Sequence, residues 1–388
     1  MYVTCCTSME KTKFDIAVLG AGCAGFQLLH QLSLQADFKS KNVALFSDNI
    51  PQKRSWCFWS NETHPLQHLV TKSWHKITFK GTGFSKTEDV YPYQYHYISG
   101  EDFFNYFNND FLTQHKNVEL INQEVKNVKK NSTHYDIKST HNQWQSDTIF
   151  NSLPPDLAHQ KARFSLKQHF KGWFIKTEKP TFDASTMLLM DFSIPQQNDT
   201  RFVYVLPFSE HEALIEMTVF SPDAYADLAY EDALRSYMSI NYADVNFVIQ
   251  ETEKGQIPMT DMPFSRFDRE GSVLIGTAAG MVKASTGYAF KRITRDSRQL
   301  SEDLNQGKKM RWAATKGRFR FYDRLLLGIL AEEPLKGSVI FEALFKKMKM
   351  TTIFRFLDEE THLGQEILLF SKLPFAPFLK QVFKQWIR

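Results

Sequence analysis

A glycine-rich turn near the start of the chain constrains its fold more than any other feature. The turn reads Gly20-Ala21-Gly22-Cys23-Ala24-Gly25 and follows the apolar stretch 14–19, which predicts a buried parallel strand. Residues 24–36 then predict a helix, because their leucines share one face. Glycines at this spacing permit a tight turn, close approach of the backbone to a pyrophosphate, and close packing of helix on strand. We therefore expect the turn to bind a dinucleotide.

In such folds an acidic residue at the end of the second strand contacts the ribose of the dinucleotide. Residues 43–46 predict that strand, and Ser47 and Asp48 follow it. Asp48 lies slightly beyond the usual spacing of about 20 residues. Two interpretations of Asp48 therefore stay open, a hydrogen bond to the ribose and a solvated acid in a loop.

A second glycine-bearing segment, late in the chain, favours a flavin over a nicotinamide cofactor. Residues 273–280 predict a strand followed by a turn, at the place where two-domain flavoproteins contact the ribityl chain and pyrophosphate of FAD. Gly276 and Thr277 stand where those proteins have Gly-Asp. The Thr277 hydroxyl can still form the hydrogen bond that the Asp would make, but it carries no charge. The small or hydroxylated residues that would let the backbone approach the flavin are Ala279, Gly280, Thr286 and Gly287. A simple helix-capping turn is the alternative.

Composition and charge exclude several classes of protein. The 388 residues suffice for two or three domains, and a net charge of +4 is too small to indicate nucleic-acid binding. Because no cysteine belongs to a Cys-x-x-Cys pair, we expect a reducing cytoplasm, no disulfide framework and no metal site. The cysteines are Cys5, Cys6, Cys23 and Cys57. No apolar run reaches the roughly 18 residues of a membrane span, so any membrane contact would be peripheral.

The remaining pattern predicts an α/β protein with three parts. Alternating stretches at 172–177, 186–192, 201–207 and 213–220 predict a mostly antiparallel sheet, with a helix at 223–241. A further helix is predicted at 101–112, with its four phenylalanines in the core, and the chain reads as helical after residue 296. We therefore predict a Rossmann-type FAD-binding domain at 11–55, 100–165 and 260–305. We also predict an inserted β-sheet substrate domain at 56–99 and 166–259, and a helical C-terminal region at 306–388.

Seven motifs, collinear along nearly the whole chain, carry a family resemblance. They are RSWCFW at 54–59, LMDF at 189–192, FVYVLPF at 202–208, GQIPM at 255–259, GTAAGMVKASTGY at 276–288, FYDRLLL at 321–327 and FRFLDE at 354–359. Together they resemble the motifs of bacterial flavin-dependent lycopene cyclases, the lycopene β-cyclase family. Their shared order is far more specific than any one of them.

The resemblance implies a fold like the aromatic-hydroxylase flavoproteins and a non-redox reaction. It implies FAD in its reduced form, with NAD(P)H as the electron source, and lycopene or another acyclic carotenoid whose ends become β-ionone rings. Glu216 takes the position of the family's catalytic carboxylate. The chain departs from the family in two places: Met217 replaces a second acid, and Asn151-Ser152-Leu153-Pro154 replaces an Asp-x-Arg-like strand end. We therefore assign no role to a neighbouring carboxylate and leave open whether loop 151–154 makes any contact.

The chemistry explains why this reaction needs such residues. A glutamate in a hydrocarbon cavity has a raised pKa and can protonate a terminal double bond near neutral pH. Leu214, Glu216 and Thr218 share one face of the predicted strand, which would have to look into the cavity. Aromatic faces can stabilise the carbocation, and we expect them from Trp56, Phe58, Trp59 and Tyr288, although each of these side chains also suits a core. Lys283 would either pair with the cofactor or lie exposed.

Two basic amphipathic helices in the tail are candidates for contact with a membrane surface. One has Phe341, Leu344, Phe345 and Met348 on its apolar face, and the face of the other is formed by Phe378, Leu379, Val382, Phe383 and Trp386. Packing on the protein's own core is the alternative for both. We expect a cytoplasmic protein that binds the membrane peripherally.

Two other functions also remain open: a redox flavoenzyme, such as an isoprenoid reductase or a monooxygenase, and a non-catalytic carotenoid-binding flavoprotein.

Overall fold

The computed structural model describes residues 12–48, 54–154, 162–312 and 317–386. Cys5, Cys6 and Arg388 lie outside these ranges. The strands are β1 (Thr12–Leu19), β2 (Val43–Phe46), β3 (Trp56–Ser60), β4 (Lys72–Trp74), β5 (Lys76–Gly81), β6 (Phe84–Asp89), β7 (Gln94–Ile98), β8 (Val118–Ile121), β9 (Asn127–Lys130), β10 (Tyr135–Lys138), β11 (Gln143–Asn151), β12 (Ser165–Thr177), β13 (Thr186–Asp191), β14 (Thr200–Pro207), β15 (Glu212–Ser221), β16 (Phe247–Thr260) and β17 (Val273–Leu274). The helices are α1 (Cys23–Ser33), α2 (Gly100–Asn105), α3 (Leu112–Gln114), α4 (Asp227–Asn241), α5 (Phe290–Asn305), α6 (Gly317–Glu332), α7 (Lys336–Lys347), α8 (Met350–Leu357), α9 (Leu363–Phe370) and α10 (Phe375–Trp386).

The first sheet is built around β1, whose apolar residues are buried from Ile16 to Leu19. Strands β8, β2, β1 and β11 are parallel neighbours, and the short β17 adds to the carboxyl end of β11. Strand β10 pairs with the first half of β11, and β9 pairs with β10, so that these three strands form an antiparallel meander. Helix α1 connects β1 to the parallel strand β2, as strands of one parallel sheet require. The predicted strand–turn–helix–strand unit is therefore confirmed, although α1 ends at Ser33 rather than at residue 36.

The second sheet has the order β16-β12-β15-β14-β13-β5-β6 and is antiparallel except between β13 and β5. Side chains alternate across β15, so that Ile215, Met217 and Val219 pack with buried residues of α4. The opposite face carries Glu216 toward the first sheet. The predicted antiparallel sheet is confirmed. Helix α4 begins at Asp227 rather than at residue 223, because Ala226 keeps an extended backbone.

A small sheet and a phenylalanine-rich helix lie beside the first sheet. Strands β3, β7 and β4 form the small sheet. The helix predicted at 101–112 runs from Gly100 to Gln114 and contains a π-helical segment between α2 and α3. Its phenylalanines Phe103, Phe104 and Phe107 contact the ring of Phe26 in α1. These aromatics belong to the core, as expected.

Two of the C-terminal helices pack against the second sheet, α6 on β12 and β15 and α7 on β5 and β14. Phe341 and Phe345 of α7 stack on Phe192 and Phe79, so this face of α7 is part of the core. The apolar face of α10 is different, since Phe383 and Trp386 are exposed. Among the described residues, no helix is both long and apolar enough to cross a membrane.

Candidate functional site

A cavity of about 770 Å³ lies between the carboxyl ends of the parallel strands and one face of the second sheet. The glycine turn, through Gly22 and Ala24, lines one part of it, and Glu216 lines another. Ligands of open parallel sheets bind at these carboxyl ends. A single cavity therefore joins the predicted dinucleotide turn to the predicted catalytic carboxylate.

The glycine turn has the shape needed to bind a pyrophosphate. Helix α1 begins at Cys23, so the unpaired backbone N–H groups of its first turn lie at the cavity wall. A Cβ atom on Gly22 would meet nothing within 4 Å, which leaves room for a phosphate, whereas one on Gly25 would lie 2.1 Å from the Gly20 carbonyl oxygen. Ala21 is buried beneath the turn. The turn therefore fits the phosphates of a dinucleotide cofactor.

Only some of the predicted cofactor residues in segment 276–287 line the cavity. Gly276, Thr277, Thr286 and Gly287 line the cavity. Two others lie behind the wall: Ala279 is buried, and Gly280 lies against the Phe264 ring. Asp48 follows β2 as predicted, but it is exposed and is not part of the cavity lining. The ribose contact of Asp48 stays a prediction.

Lys283 is buried and neither contacts the cavity nor lies exposed. Its Nζ lies 3.1 Å from the Asp323 carboxylate and 3.4 Å from that of Glu359. Ser285 donates a hydrogen bond of 2.7 Å to Asp323, and Arg292 donates one of 2.7 Å to Glu359. The acids come from the motifs at 321–327 and 354–359, far apart in the sequence. They connect the cofactor segment to α6 and to the end of α8.

The four predicted aromatic residues separate into two pairs. Trp56 and Tyr288 line the cavity. Phe58 stacks on Phe290, with ring centroids 4.9 Å apart, and Trp59 stacks on Phe354 at 4.8 Å, so both lie behind the wall. Trp59 also makes a T-shaped contact with the Tyr288 ring, with ring centroids 4.5 Å apart. The rings of Phe290 and Phe354 cover these two side chains, so the aromatics of β3 do not all reach the cavity.

Two further tyrosines that sequence reasoning missed complete this wall. The hydroxyl groups of Tyr95 and Tyr288 are hydrogen-bonded at 2.9 Å, and Tyr204 lines the same cavity beside Tyr288. Burial raises the pKa of all three hydroxyls, which therefore stay neutral. Tyr95 and Tyr204 lie in aromatic strands that also suit a plain core, so nothing in their local sequence indicates a site.

Glu216 occupies the middle of β15 and faces the cavity. Thr218 donates a hydrogen bond of 2.9 Å to its Oε1. Burial away from bulk water, and then the charge of the nearby Glu253 carboxyl, raise the pKa of Glu216 well above its ordinary value. A carboxyl in this environment keeps its proton near neutral pH, as a general acid must.

Glu253 is a second buried carboxyl that the sequence did not reveal. It lies on β16, lines the same cavity and is hydrogen-bonded to Glu216. Ser55 donates a hydrogen bond of 2.8 Å to its Oε2. Burial raises the pKa of Glu253, and the Ser55 hydrogen bond opposes that rise. Its neighbours in sequence are polar, as in an exposed strand, so only the pairing of β16 with β12 reveals its place.

Solved structures with similar folds include proteins whose descriptions name a flavoprotein or a flavin-dependent enzyme. A flavoprotein/dehydrogenase from Cytophaga hutchinsonii matches with a TM-score of 0.58 and 13% identity, over 89% of this chain and 92% of that one. A geranylgeranyl bacteriochlorophyll reductase-like protein from Thermoplasma acidophilum matches with a TM-score of 0.56 and 10% identity, over 96% of each chain. The flavin-dependent monooxygenase PieE, solved with FAD and substrate, matches with a TM-score of 0.60 and 12% identity, over 93% of this chain and 72% of that one. The predicted fold class, an aromatic-hydroxylase-like α/β flavoprotein fold with a helical C-terminal region, is confirmed.

Sequence comparison narrows this class to one family. The family model described as lycopene cyclase protein matches residues 15–382, and the chain belongs to that family. A curated lycopene β-cyclase from Paracoccus sp. (strain N81106 / MBIC 01143) is 32% identical over 130 residues. This match spans about a third of the relative's length, 32% of either chain. The family resemblance of the seven motifs is confirmed.

Proposed function

We propose that this protein is a flavin-dependent lycopene β-cyclase, which converts the linear ends of lycopene or a similar acyclic carotenoid into β-ionone rings. The observation that carries the proposal is the single cavity lined by both the glycine turn and Glu216. Family membership supports the substrate class, and the similarity to FAD-bound structures supports the cofactor.

The cofactor of the proposal is FAD in its reduced form, with NAD(P)H as the source of electrons. The glycine turn would hold the pyrophosphate, while Gly276, Thr277, Thr286 and Gly287 would lie along the rest of the molecule. Reduced flavin supplies electron density that stabilises positive charge beside it. The raised pKa of the Cys23 thiol, about 12 because of burial, keeps a negative charge away from the phosphates.

The residues of the chain supply the rest of the chemistry. Glu216 donates its proton to the terminal double bond, and the resulting carbocation closes the ring. The neutral rings of Tyr204 and Tyr288, with Trp56, offer electron-rich faces that contribute up to about 2 kcal/mol each in a dry site. The apolar side chains of Leu206 and Leu214 help to keep water from trapping the cation. A ring proton then leaves, so no net oxidation or reduction occurs.

Expression in cells that accumulate lycopene tests the proposed function. We expect chromatography of the pigments to show γ-carotene or β-carotene in place of lycopene. Unchanged lycopene beside a folded, flavin-loaded protein would contradict the proposal. Product formation with one NAD(P)H consumed per ring would instead indicate a redox flavoenzyme. Bound lycopene with unchanged mass and absorption spectrum would indicate a carotenoid-binding protein.

We further propose that the protein binds a membrane surface through what we call the apolar tail surface. This surface comprises exposed apolar side chains of two successive helices: Leu363, Ile367 and Leu368 of α9, and Phe375, Leu379, Phe383 and Trp386 of α10. Phe370 and Phe378 connect the two helices, and Lys380 and Lys384 lie beside the exposed positions of α10. Exposed apolar side chains on two successive helices favour insertion into a lipid surface, whose hydrocarbon interior dissolves lycopene.

Replacing both Phe383 and Trp386 with Glu is expected to weaken binding to anionic vesicles at least about tenfold, since it removes apolar area and adds repelling charge. Co-sedimentation with phosphatidylglycerol-containing vesicles measures the change. The matched control replaces Leu228 and Ile240 of α4 with Glu, because these side chains are also exposed, at 68% and 73%. Equal binding by both double variants would contradict the assignment of this surface.

A further inference from the structure

The pairing of three strands places two carboxyl groups on either side of one glycine. Gly172 of β12 pairs with Glu216 of β15 on one edge and with Glu253 of β16 on the other. Residues directly opposite one another in a sheet project from the same face. Both carboxyl groups therefore leave the sheet on its cavity side, about two strand spacings or roughly 10 Å apart at their Cα atoms.

The missing side chain of Gly172 lets the two glutamates meet. A Cβ atom at this position would lie 3.3 Å from Cβ of Glu216 and 3.4 Å from Cγ of Glu253. It would also lie 2.7 Å from a methyl group of Leu214. A side chain here would stand between the glutamates, whereas glycine leaves a gap across which their carboxyl groups are hydrogen-bonded.

A hydrogen bond between two carboxyl groups requires at least one proton on the pair. Thr218 donates to Glu216 and Ser55 donates to Glu253, so the hydroxyl groups satisfy the remaining oxygens without supplying a positive charge. The titratable neighbours in the surrounding strands and loops are Cys57, Tyr95, Tyr97, Tyr204, Glu251 and Tyr288, and Arg54 and Lys254 also line the cavity. The buried thiol and phenols are neutral at pH 7. Two like charges so close in a dry cavity are unfavourable, which favours the singly protonated pair.

We propose that Glu216 and Glu253 share a single proton across Gly172, with Glu253 as a positioning residue that keeps Glu216 protonated at neutral pH. The inference rests on the proposed function. In the resting pair, Glu216 carries the proton and the carboxylate of Glu253 accepts its hydrogen bond. Ser55 fixes the orientation of Glu253.

The proton transfers balance over one cyclisation. The O–H bond of Glu216 breaks as a C–H bond forms at the terminal alkene, and the O–H electron pair stays on the carboxylate. Attack by the second alkene closes the ring. A ring C–H bond then breaks, its electron pair becomes the ring double bond, and the proton returns to the pair. Two adjacent carboxylates, formed by the first transfer, attract the cation and favour this return.

The test is the pH dependence of cyclisation by the flavin-loaded Glu253→Gln variant. Without the charge of Glu253, Glu216 should lose its proton at lower pH, so the alkaline limb of the rate profile should shift down by about one pH unit or more. Activity should recover toward that of the unmodified enzyme as the pH is lowered. Gly172→Ala should shift the limb in the same direction. Glu212→Gln, which removes a carboxylate that pairs with Lys176 at the start of β15, should leave the limb within a few tenths of a unit.

Infrared spectroscopy distinguishes failure of this inference from failure of the proposed function. We expect the flavin-loaded protein at pH 7 to show the infrared stretch of a neutral carboxyl group, and Glu216→Gln should remove this band. As the pH is raised, the band should disappear at a lower pH in Glu253→Gln than in the unmodified protein. If this band behaves so but lycopene is not cyclised, the proposed function fails and the shared proton stands. If lycopene is cyclised and Glu253→Gln keeps the original rate profile and band, the shared proton is overturned.

Discussion

Replacing Glu216 with Gln is expected to lower the rate of lycopene cyclisation about 10³-fold, the scale of a lost general acid. The amide has nearly the same shape and can still accept the hydrogen bond from Thr218, but it has no acidic proton for the alkene. Single-turnover assays with reduced FAD and lycopene in detergent measure the rate. Glu212→Gln is the matched control, because Glu212 lies at the start of the same strand, where it pairs with Lys176 near the surface.

The same substitution should change how the stability of the protein depends on pH. The pKa of Glu216 is higher in the folded protein than in the unfolded chain. Above the unfolded value the folded state holds the extra proton, so its stability falls as pH rises toward the folded pKa. Glu216→Gln should remove this part of the slope and make the protein relatively more stable at alkaline pH. Rates within tenfold of the original, or an unchanged slope, would contradict the role of Glu216.

Replacing Lys283 with Met is expected to lower the free energy of unfolding by about 3 kcal/mol, because it leaves the buried Asp323 carboxylate without its cation. Asp323 would keep the Ser285 hydroxyl, and Glu359 would keep Arg292. The segment that would hold the cofactor keeps only the Ser285 hydrogen bond to Asp323 of α6, so FAD should also dissociate more readily. Chemical denaturation and flavin release measure the two effects.

Two further variants make this prediction specific. Lys380→Met removes a lysine from a more exposed pair with Glu333, and should change stability by less than about 1 kcal/mol. Adding Asp323→Asn to Lys283→Met should restore part of the loss, since it removes the unpaired charge. A Lys283→Met protein as stable as the original would show that the cluster contributes nothing to the fold.

Local sequence patterns predicted the parts of the molecule that local interactions determine. The strand–turn–helix at 12–33 follows from apolar runs and glycine spacing, both of which act over a few residues. The alternation of β15 likewise showed which residues share a face with Glu216. Its proposed role came from the family resemblance.

Long-range pairing explains what sequence reasoning could not find. Glu253 meets Glu216 only because β12 lies between their strands, and no periodicity within either strand contains that pairing. Phe58 and Trp59 show the converse, since they have the right composition for a cavity wall but are covered by Phe290 and Phe354. Met217 replaces the expected neighbouring acid in sequence, while the structure supplies a carboxyl from another strand.

The row formed by Tyr204, Glu216, Gly172 and Glu253 runs across four strands, so correct folding of the sheet decides whether the site exists. A slip of β15 by one residue would exchange Glu216 for Met217 or Ile215 at the cavity and turn its carboxyl toward α4. Such a molecule would keep most of its secondary structure and yet lack the Glu216 carboxyl at the cavity, so that Glu253 would stand there alone. The active fraction of a refolded preparation would therefore report strand register, which circular dichroism would not distinguish.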